Sequence, residues 1–137
     1  MRVLRGMIPD EDGWPRVGST GRTLGARPGY PDDPEEPEPD IRVDEDGIVY
    51  PGTGGMSVAM PPMENLRPHR RPPKHGGGDK KLEVYELETD GLPDELQARA
   101  DPYGPTVHAF FEPAYEMSFD EYQSALHFTR ELWRIVR

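Results

Sequence analysis

Glycine and proline interrupt this chain so often that they set the first limit on its fold. The sequence has 15 glycines and 17 prolines among 137 residues, and both residue types disfavour the interior of helices and strands. Apolar residues make up 34% of the chain, which is low for a globular domain. The length predicts one domain covering residues 1–137. We therefore expect a small core with long surface loops around it.

Charge and residue types exclude several classes of protein. The chain has no cysteine, so it has no disulfide, no thiolate metal ligand and no cysteine nucleophile. Its formal net charge is −10, which disfavours direct binding to nucleic acid and fits a basic protein partner. No apolar run approaches the ~20 residues of a membrane helix. The N-terminus shows no apolar segment typical of a Sec signal peptide, so we expect export, if any, by a dedicated secretion system.

Residue patterning predicts an α+β fold with a split, mostly antiparallel sheet and a long C-terminal helix. The helix begins at Ser118, whose spacing to Glu121 is that of a capping box. Apolar residues then recur every three or four positions, which predicts about 18 helical residues. Leu92 and Pro93 open a predicted helical turn over residues 94–98. Alternating or β-branched segments predict strands over residues 2–8, 48–50, 82–87 and 106–111.

A glycine-rich turn precedes the short apolar segment that contains Ser57. Gly52, Gly54 and Gly55 permit positive φ and close backbone approach, so the chain can turn tightly before it enters a strand. A hydroxyl at Ser57 is then either satisfied internally or offered to a ligand. The simpler interpretation is an ordinary glycine-rich hairpin.

Two further residues stand out in predicted strands. Arg5 lies in the middle of the first strand beside Gly6, a position that suits a bound anion such as a pyrophosphate. The alternative is an arginine that pairs with a surface carboxylate. His108 lies in a mostly apolar strand, and it is either a core histidine with satisfied hydrogen bonds or a catalytic group.

Charged runs occupy the predicted loops. Residues 32–46 are acidic and proline-rich, which indicates an extended loop or a patch for a basic partner. The turn at Asp44 and Gly47 lacks the ligand spacing of a calcium loop. Residues 67–81 are basic, and they either bind phosphates or pair with the acidic run. His69 and His75 match no structural zinc pattern, so we expect no metal.

The order of these motifs resembles that of the ADP-ribosyltransferase-like toxins delivered by type VI secretion. The first strand around Arg5 looks like the strand whose arginine or histidine holds NAD in ADP-ribosyltransferases. The segment around Ser57 is similar to the middle strand, whose serine contacts the nicotinamide ribose. Further matching segments are Pro39-Asp40-Ile41, Asp46-Gly47, Thr53-Gly54-Gly55-x-Ser57-Val58, Leu92-Pro93-x-x-Leu96, His108, Pro113-Ala114 and Met117.

The resemblance implies an NAD-binding toxin or effector that acts on an intracellular, cytoplasmic target and has a cognate immunity protein as partner. NAD would be the substrate, for ADP-ribose transfer or for NAD hydrolysis. Arg5, Gly54, Gly55 and Ser57 would bind it. His108 would complete the site with Ser57, and Glu112, or else Glu116, offers a late-strand glutamate of the kind the wider superfamily uses.

Three positions depart from the toxin pattern. Met56 stands where the family has a threonine, Pro105 where it has a glutamine, and Pro37 or its neighbours where it has an arginine. These departures favour, as an alternative, an inactive binding module on the same fold. A further alternative is an acidic interaction protein that docks on a basic partner.

Overall fold

The computed structural model describes residues 1–33 and 38–137. Within these ranges the chain forms one α-helix, α1 at Phe119–Phe128, and several single turns of 3₁₀ helix, of which Pro68–Arg70 and Arg130–Leu132 matter below. The strands are β1 Arg2–Met7, β2 Pro28–Gly29, β3 Ile41–Arg42, β4 Ile48–Val49, β5 Met56–Ala59, β6 Glu83–Glu88, β7 Leu96–Ala100, β8 His108–Pro113, β9 Met117–Ser118 and β10 Arg134–Ile135.

The main sheet has six strands in the order β10-β6-β1-β5-β8-β7, and every neighbouring pair is antiparallel. Two small ribbons accompany it: β2 pairs with β3 in parallel, and β4 pairs with β9 in the antiparallel sense. The predicted small α+β protein with a mostly antiparallel sheet and one C-terminal helix is therefore confirmed.

The sheet is nearly interrupted between β1 and β5. These strands share one register pair, Leu4 with Ala59, whereas β1 and β6 are paired along all six residues of β1. The six strands thus form one continuous sheet, and the split expected from the sequence amounts to this single weak seam. The seam frees space beside Arg5, the residue that follows Leu4.

Helix α1 covers one face of the sheet and makes the core. Its buried side chains Tyr122 and Leu126 pack with Val58 and Phe111 of the sheet and with Trp133. Ser118 accepts a hydrogen bond from the Glu121 N–H at 3.1 Å, so the predicted N-cap is present. In β8, Ala109 and Phe111 are fully buried, and His108 and Phe110 point to the opposite face, as strand alternation requires.

The predicted length of the helix was wrong because two local interactions end it at Phe128. The Thr129 hydroxyl donates to the Leu126 carbonyl at 2.7 Å and accepts from Trp133 Nε1 at 3.1 Å. A 3₁₀ turn over Arg130–Leu132 follows, and β10 then pairs with β6. Trp133 therefore reaches the core from an extended segment, at a spacing that also fits a helical face.

Two other local predictions were wrong. Residues 94–98 do not form a helical turn, since β7 begins at Leu96 and pairs with β8 from Leu96↔Pro113 onward. Sheet pairing supplies these backbone groups with more partners than an isolated turn does. The strand predicted from residue 106 begins at His108, because a turn comes first in which the His108 N–H donates to the Gly104 carbonyl at 3.0 Å.

Tyr122 ties the helix to the sheet, and Tyr122→Phe is expected to lower the free energy of unfolding by about 1–2 kcal/mol. Its buried hydroxyl donates to the Phe111 carbonyl at 2.5 Å and accepts from the Met56 N–H at 3.0 Å. Removing it leaves both backbone groups short of a partner. Urea unfolding of Tyr122→Phe beside the half-exposed control Tyr115→Phe measures the loss. Equal stability of the two variants would contradict it.

Candidate functional site

Arg5 fills the gap where β1 and β5 separate. Only 6% of the residue is exposed. Its guanidinium donates to the Ser57 carbonyl at 2.6 Å, to the Thr23 carbonyl at 2.8 Å and to the Thr20 carbonyl at 3.2 Å. The side chain therefore joins β5 to the loop that follows β1, in place of the missing strand pairing.

The charge of Arg5 is compensated by dipoles rather than by a carboxylate. Among the described residues, no Asp or Glu forms an ion pair with it. Burial lowers the pKa of the Arg5 guanidinium to about 10, and Arg70 and Arg27 add to the lowering while Asp40 opposes it. The group stays protonated at neutral pH. It is thus a buried cation whose charged surroundings include Asp40 as well as Arg70 and Arg27.

Arg5, Ser57 and His108 line one cleft with a volume of about 690 Å³. The cleft spans β1, β5 and the turn before β8. Its charged lining includes, besides Arg5, the three arginines Arg27, Arg67 and Arg70, whereas Glu38, Asp40 and Asp101 are the acidic members. In a chain whose net charge is −10, this concentration of arginines marks a place for an anionic ligand.

Ser57 and His108 lie on neighbouring strands and on the same face of the sheet. Ser57 is opposite Phe110, and His108 is opposite Ala59. They are therefore diagonal neighbours, with Cα atoms about 7–8 Å apart. Among the described residues the Ser57 hydroxyl makes no hydrogen bond, although the residue is half-buried. Among the described residues the two side chains make no hydrogen bond with each other, and the His108 ring contacts Asp101 instead.

Asp101 holds the imidazole of His108. The distance from His108 Nδ1 to Asp101 Oδ2 is 3.2 Å. The other Asp101 oxygen accepts from the Tyr103 N–H at 2.9 Å. The Tyr103 N–H, more than His108, lowers the pKa of the Asp101 carboxyl, so Asp101 remains an anion that orients the ring. The aromatic ring of Tyr103 stands at the rim of the same cleft and is 98% exposed.

Glu112 lies outside the cleft. It is fully buried, and it accepts from Arg99 Nε at 2.7 Å and from the Gly52 N–H at 2.6 Å. Both carboxylate oxygens are therefore engaged within the protein. Glu112 is on the same face of β8 as His108 but four residues further along, about 13 Å in an extended strand, and it does not line the cleft.

Gly54 and Gly55 also lie outside the cleft and serve backbone packing. Gly54 has a φ of 120°, in the region that disfavours other residues. A Cβ at Gly54 would collide with the Asp40 carbonyl, and one at Gly55 with the Phe111 carbonyl. The Gly55 N–H donates to the Asp40 carbonyl at 2.7 Å. These glycines therefore set the path of the chain into β5, which places Ser57.

Sequence reasoning left open whether the arginines of this cleft bind phosphates and did not assign any of them except Arg5 to the site. Arg27 lies in a segment with no regular pattern, and Arg70 ends the 3₁₀ turn Pro68–Arg70, which packs beside β1. The basic run over residues 67–81 was the available signal, but it does not indicate which arginine turns inward. Parts of that run pair locally, as in the ion pair of Lys74 with Glu83 at 2.7 Å.

A metal site would need a group of side chains that could bind the ion. Among residues 1–33 and 38–137, no cluster of three or more His, Asp or Glu side chains is arranged to hold an ion. Asp44 uses one oxygen to accept from the Asp46 and Ile48 N–H groups and the other to accept from the Tyr50 hydroxyl. The acidic segment 32–46 was predicted to be a loop or a patch for a basic partner. Its residues 34–37 lie outside the described residues.

Comparisons of the sequence with known proteins gave no match from which a function could be inferred. No family model matches the chain, and no curated protein matches it significantly. Within the part of the chain that the structure describes, no helix has the length and apolarity needed to cross a membrane.

Proposed function

We propose that this protein is an NAD-binding, ADP-ribosyltransferase-like toxin or effector that acts inside a target cell. The observation that carries the proposal is that Arg5, Ser57 and His108, which are far apart in the sequence, line one cleft that also contains Arg27, Arg67 and Arg70. The resemblance of the motif order to type VI secretion toxins supplies the substrate. A dinucleotide with a negatively charged diphosphate suits a cleft lined by arginines.

The proposed chemistry is cleavage of the bond between the nicotinamide and its ribose. The nicotinamide leaves as a neutral ring with the bonding electron pair, and positive charge develops on the ribose. Water or an acceptor group of the target then attacks the same carbon and releases its proton to solvent. Ser57 would position the ribose through its hydroxyl, which has no partner among the described residues. His108, oriented by Asp101 at 3.2 Å, would stand beside the leaving group. Glu112 contributes to this chemistry only if its contacts with Arg99 and Gly52 open.

Expression in bacteria tests the proposal. Inducible wild-type protein is expected to arrest growth and deplete NAD, and Ser57→Ala is expected to slow NAD loss at least tenfold. The change removes a half-buried hydroxyl without disturbing β5, because the Ser57 carbonyl still accepts from Arg5. Ser124→Ala, at an exposed position of α1, is the matched control and should behave as wild type.

Two results would count against the proposal. Unchanged NAD and growth with well-expressed wild-type protein would remove the enzymatic form of it. Full activity of Ser57→Ala would remove the assigned role of that residue. In either case the purified proteins should first be shown to be folded by circular dichroism.

A binding module without turnover is the second candidate, and Met56 and Pro105 favour it because they replace polar residues of the toxin pattern. Titration calorimetry with NAD separates the two: binding that depends on Ser57 without release of nicotinamide supports the module. A partner protein such as a cognate immunity protein fits either candidate, and occlusion of the cleft would be its simplest mode of action.

A further inference from the structure

We infer that Arg27 and Arg70 together form the diphosphate-binding part of the cleft, with Arg5 behind them as a structural residue. The inference deepens the proposed function, on which it rests for the identity of the whole ligand. The anion site itself is argued from donors, packing and charge. It differs from the sequence prediction, in which Arg5 binds the phosphates.

Arg70 presents a guanidinium without a protein acceptor. Among the described residues, it makes no hydrogen bond and no ion pair within 4.0 Å. The group lies against Gly21, where a Cβ would come within 2.7 Å of both Nη atoms. A planar group whose donors are free of described partners, and which lines the cleft, can donate to a phosphate.

Arg27 is also short of an acceptor. Its Nε is buried and has no partner among the described residues. Its Nη2 approaches Asp40 at 3.7 Å, which is too long for a hydrogen bond. The other carboxylate oxygen of Asp40 accepts a hydrogen bond from the backbone N–H of Arg27 at 2.7 Å. A buried N–H donor without a partner is costly. The Arg27 side chain as a whole is 36% exposed, so its terminal Nη groups are the donors that an anion in the cleft can reach.

The charges of these residues act on one another. Burial lowers the pKa of the Arg70 guanidinium, and Arg22 and Arg27 lower it further, while Asp40 and Asp79 oppose this. Arg27 and Arg70 likewise act on Arg5. The repulsion that neighbouring cations exert on Arg5 and Arg70 is relieved when a multiply charged anion binds among them.

Arg5 is poorly available for the same task. Three backbone carbonyls already accept from it, and moving it would release the contact between β1 and β5. Arg27 and Arg70 therefore carry the free donors, and two forked groups suit the two linked phosphates of a diphosphate better than a single carboxylate.

Calorimetric titration of the full chain with inorganic pyrophosphate at low ionic strength tests this inference. Arg70→Gln and Arg27→Gln are each expected to weaken binding at least tenfold. Arg42→Gln removes the same charge at an exposed position outside the cleft lining and should stay within twofold of wild type. Arg70→Lys, which keeps the charge but loses the fork, should fall between wild type and Arg70→Gln.

The inference is overturned if wild-type protein does not bind pyrophosphate, or if Arg70→Gln binds as well as Arg42→Gln does. Thermal unfolding shows whether each variant is folded. If Arg27→Gln is not folded, the comparison of Arg70→Gln with Arg42→Gln alone tests the inference.

Parallel titrations with NAD keep the two proposals apart. Arg70-dependent binding of pyrophosphate without binding of NAD would support the anion site and remove the proposed function. Binding and consumption of NAD that do not depend on Arg70 would support the proposed function and remove the anion site at Arg70.

Discussion

Arg5→Met is expected to lower the free energy of unfolding by about 2–4 kcal/mol, because hydrogen bonds from a charged donor contribute more than neutral ones. Methionine fills similar space but donates to none of the three carbonyls, of Ser57, Thr23 and Thr20, that accept from Arg5. The loss falls where β1 and β5 have one register pair, so the sheet has little else to hold it together there.

Chemical unfolding of purified protein measures this effect. Arg2→Met is the matched control in the same strand: Arg2 is half-exposed and pairs with Glu86 at 2.5 Å, and such surface pairs contribute about 0–1 kcal/mol. If Arg5→Met is as stable as Arg2→Met but no longer binds NAD, Arg5 contacts the ligand directly and its carbonyl contacts are secondary. A clear loss of stability in Arg5→Met means that loss of NAD binding by this variant does not by itself make Arg5 a ligand contact.

The residues that sequence reasoning placed well are those whose position follows from strand pairing. Ser57 and His108 lie in strands recognised by their β-forming residues, and antiparallel pairing of β5 with β8 brings them to one face. Arg5 follows from the first strand in the same way. The position of each residue depends on a local strand pattern, which is visible in the sequence, and on pairing with one neighbouring strand.

The residues that it left unassigned are positioned by loops. Arg27 and Arg70 belong to segments whose path depends on turns and on contacts with distant residues, such as the packing of Arg70 on Gly21. A basic run in the sequence gives the charge but not the direction of any side chain. Trp133 shows the same limit for the fold, because a spacing of four is met both by a helix and by the turn that ends α1.

Glu112 shows how an environment changes the interpretation of a residue type. A glutamate on a late strand matches the position expected of a catalytic group. Its two carboxylate oxygens, however, are used by Arg99 and by the Gly52 N–H. Through Gly52 it fixes the turn that leads to Gly54, Gly55 and β5. Its effect on Ser57 is therefore one of positioning, exerted through the backbone.

Glu112→Gln is accordingly expected to lower the free energy of unfolding by about 2–4 kcal/mol, since removing one charge of a buried pair leaves the other uncompensated. The cost stays at the lower end of that range if Arg99, which is 33% exposed, turns to water. A double-mutant cycle with Arg99→Gln measures the coupling, and Glu95→Gln, at an exposed position, is the control. NAD consumption per folded molecule should change only a few-fold. A variant with full stability whose NAD consumption falls a hundredfold would instead make Glu112 a catalytic residue, because general acid–base groups contribute about that much or more.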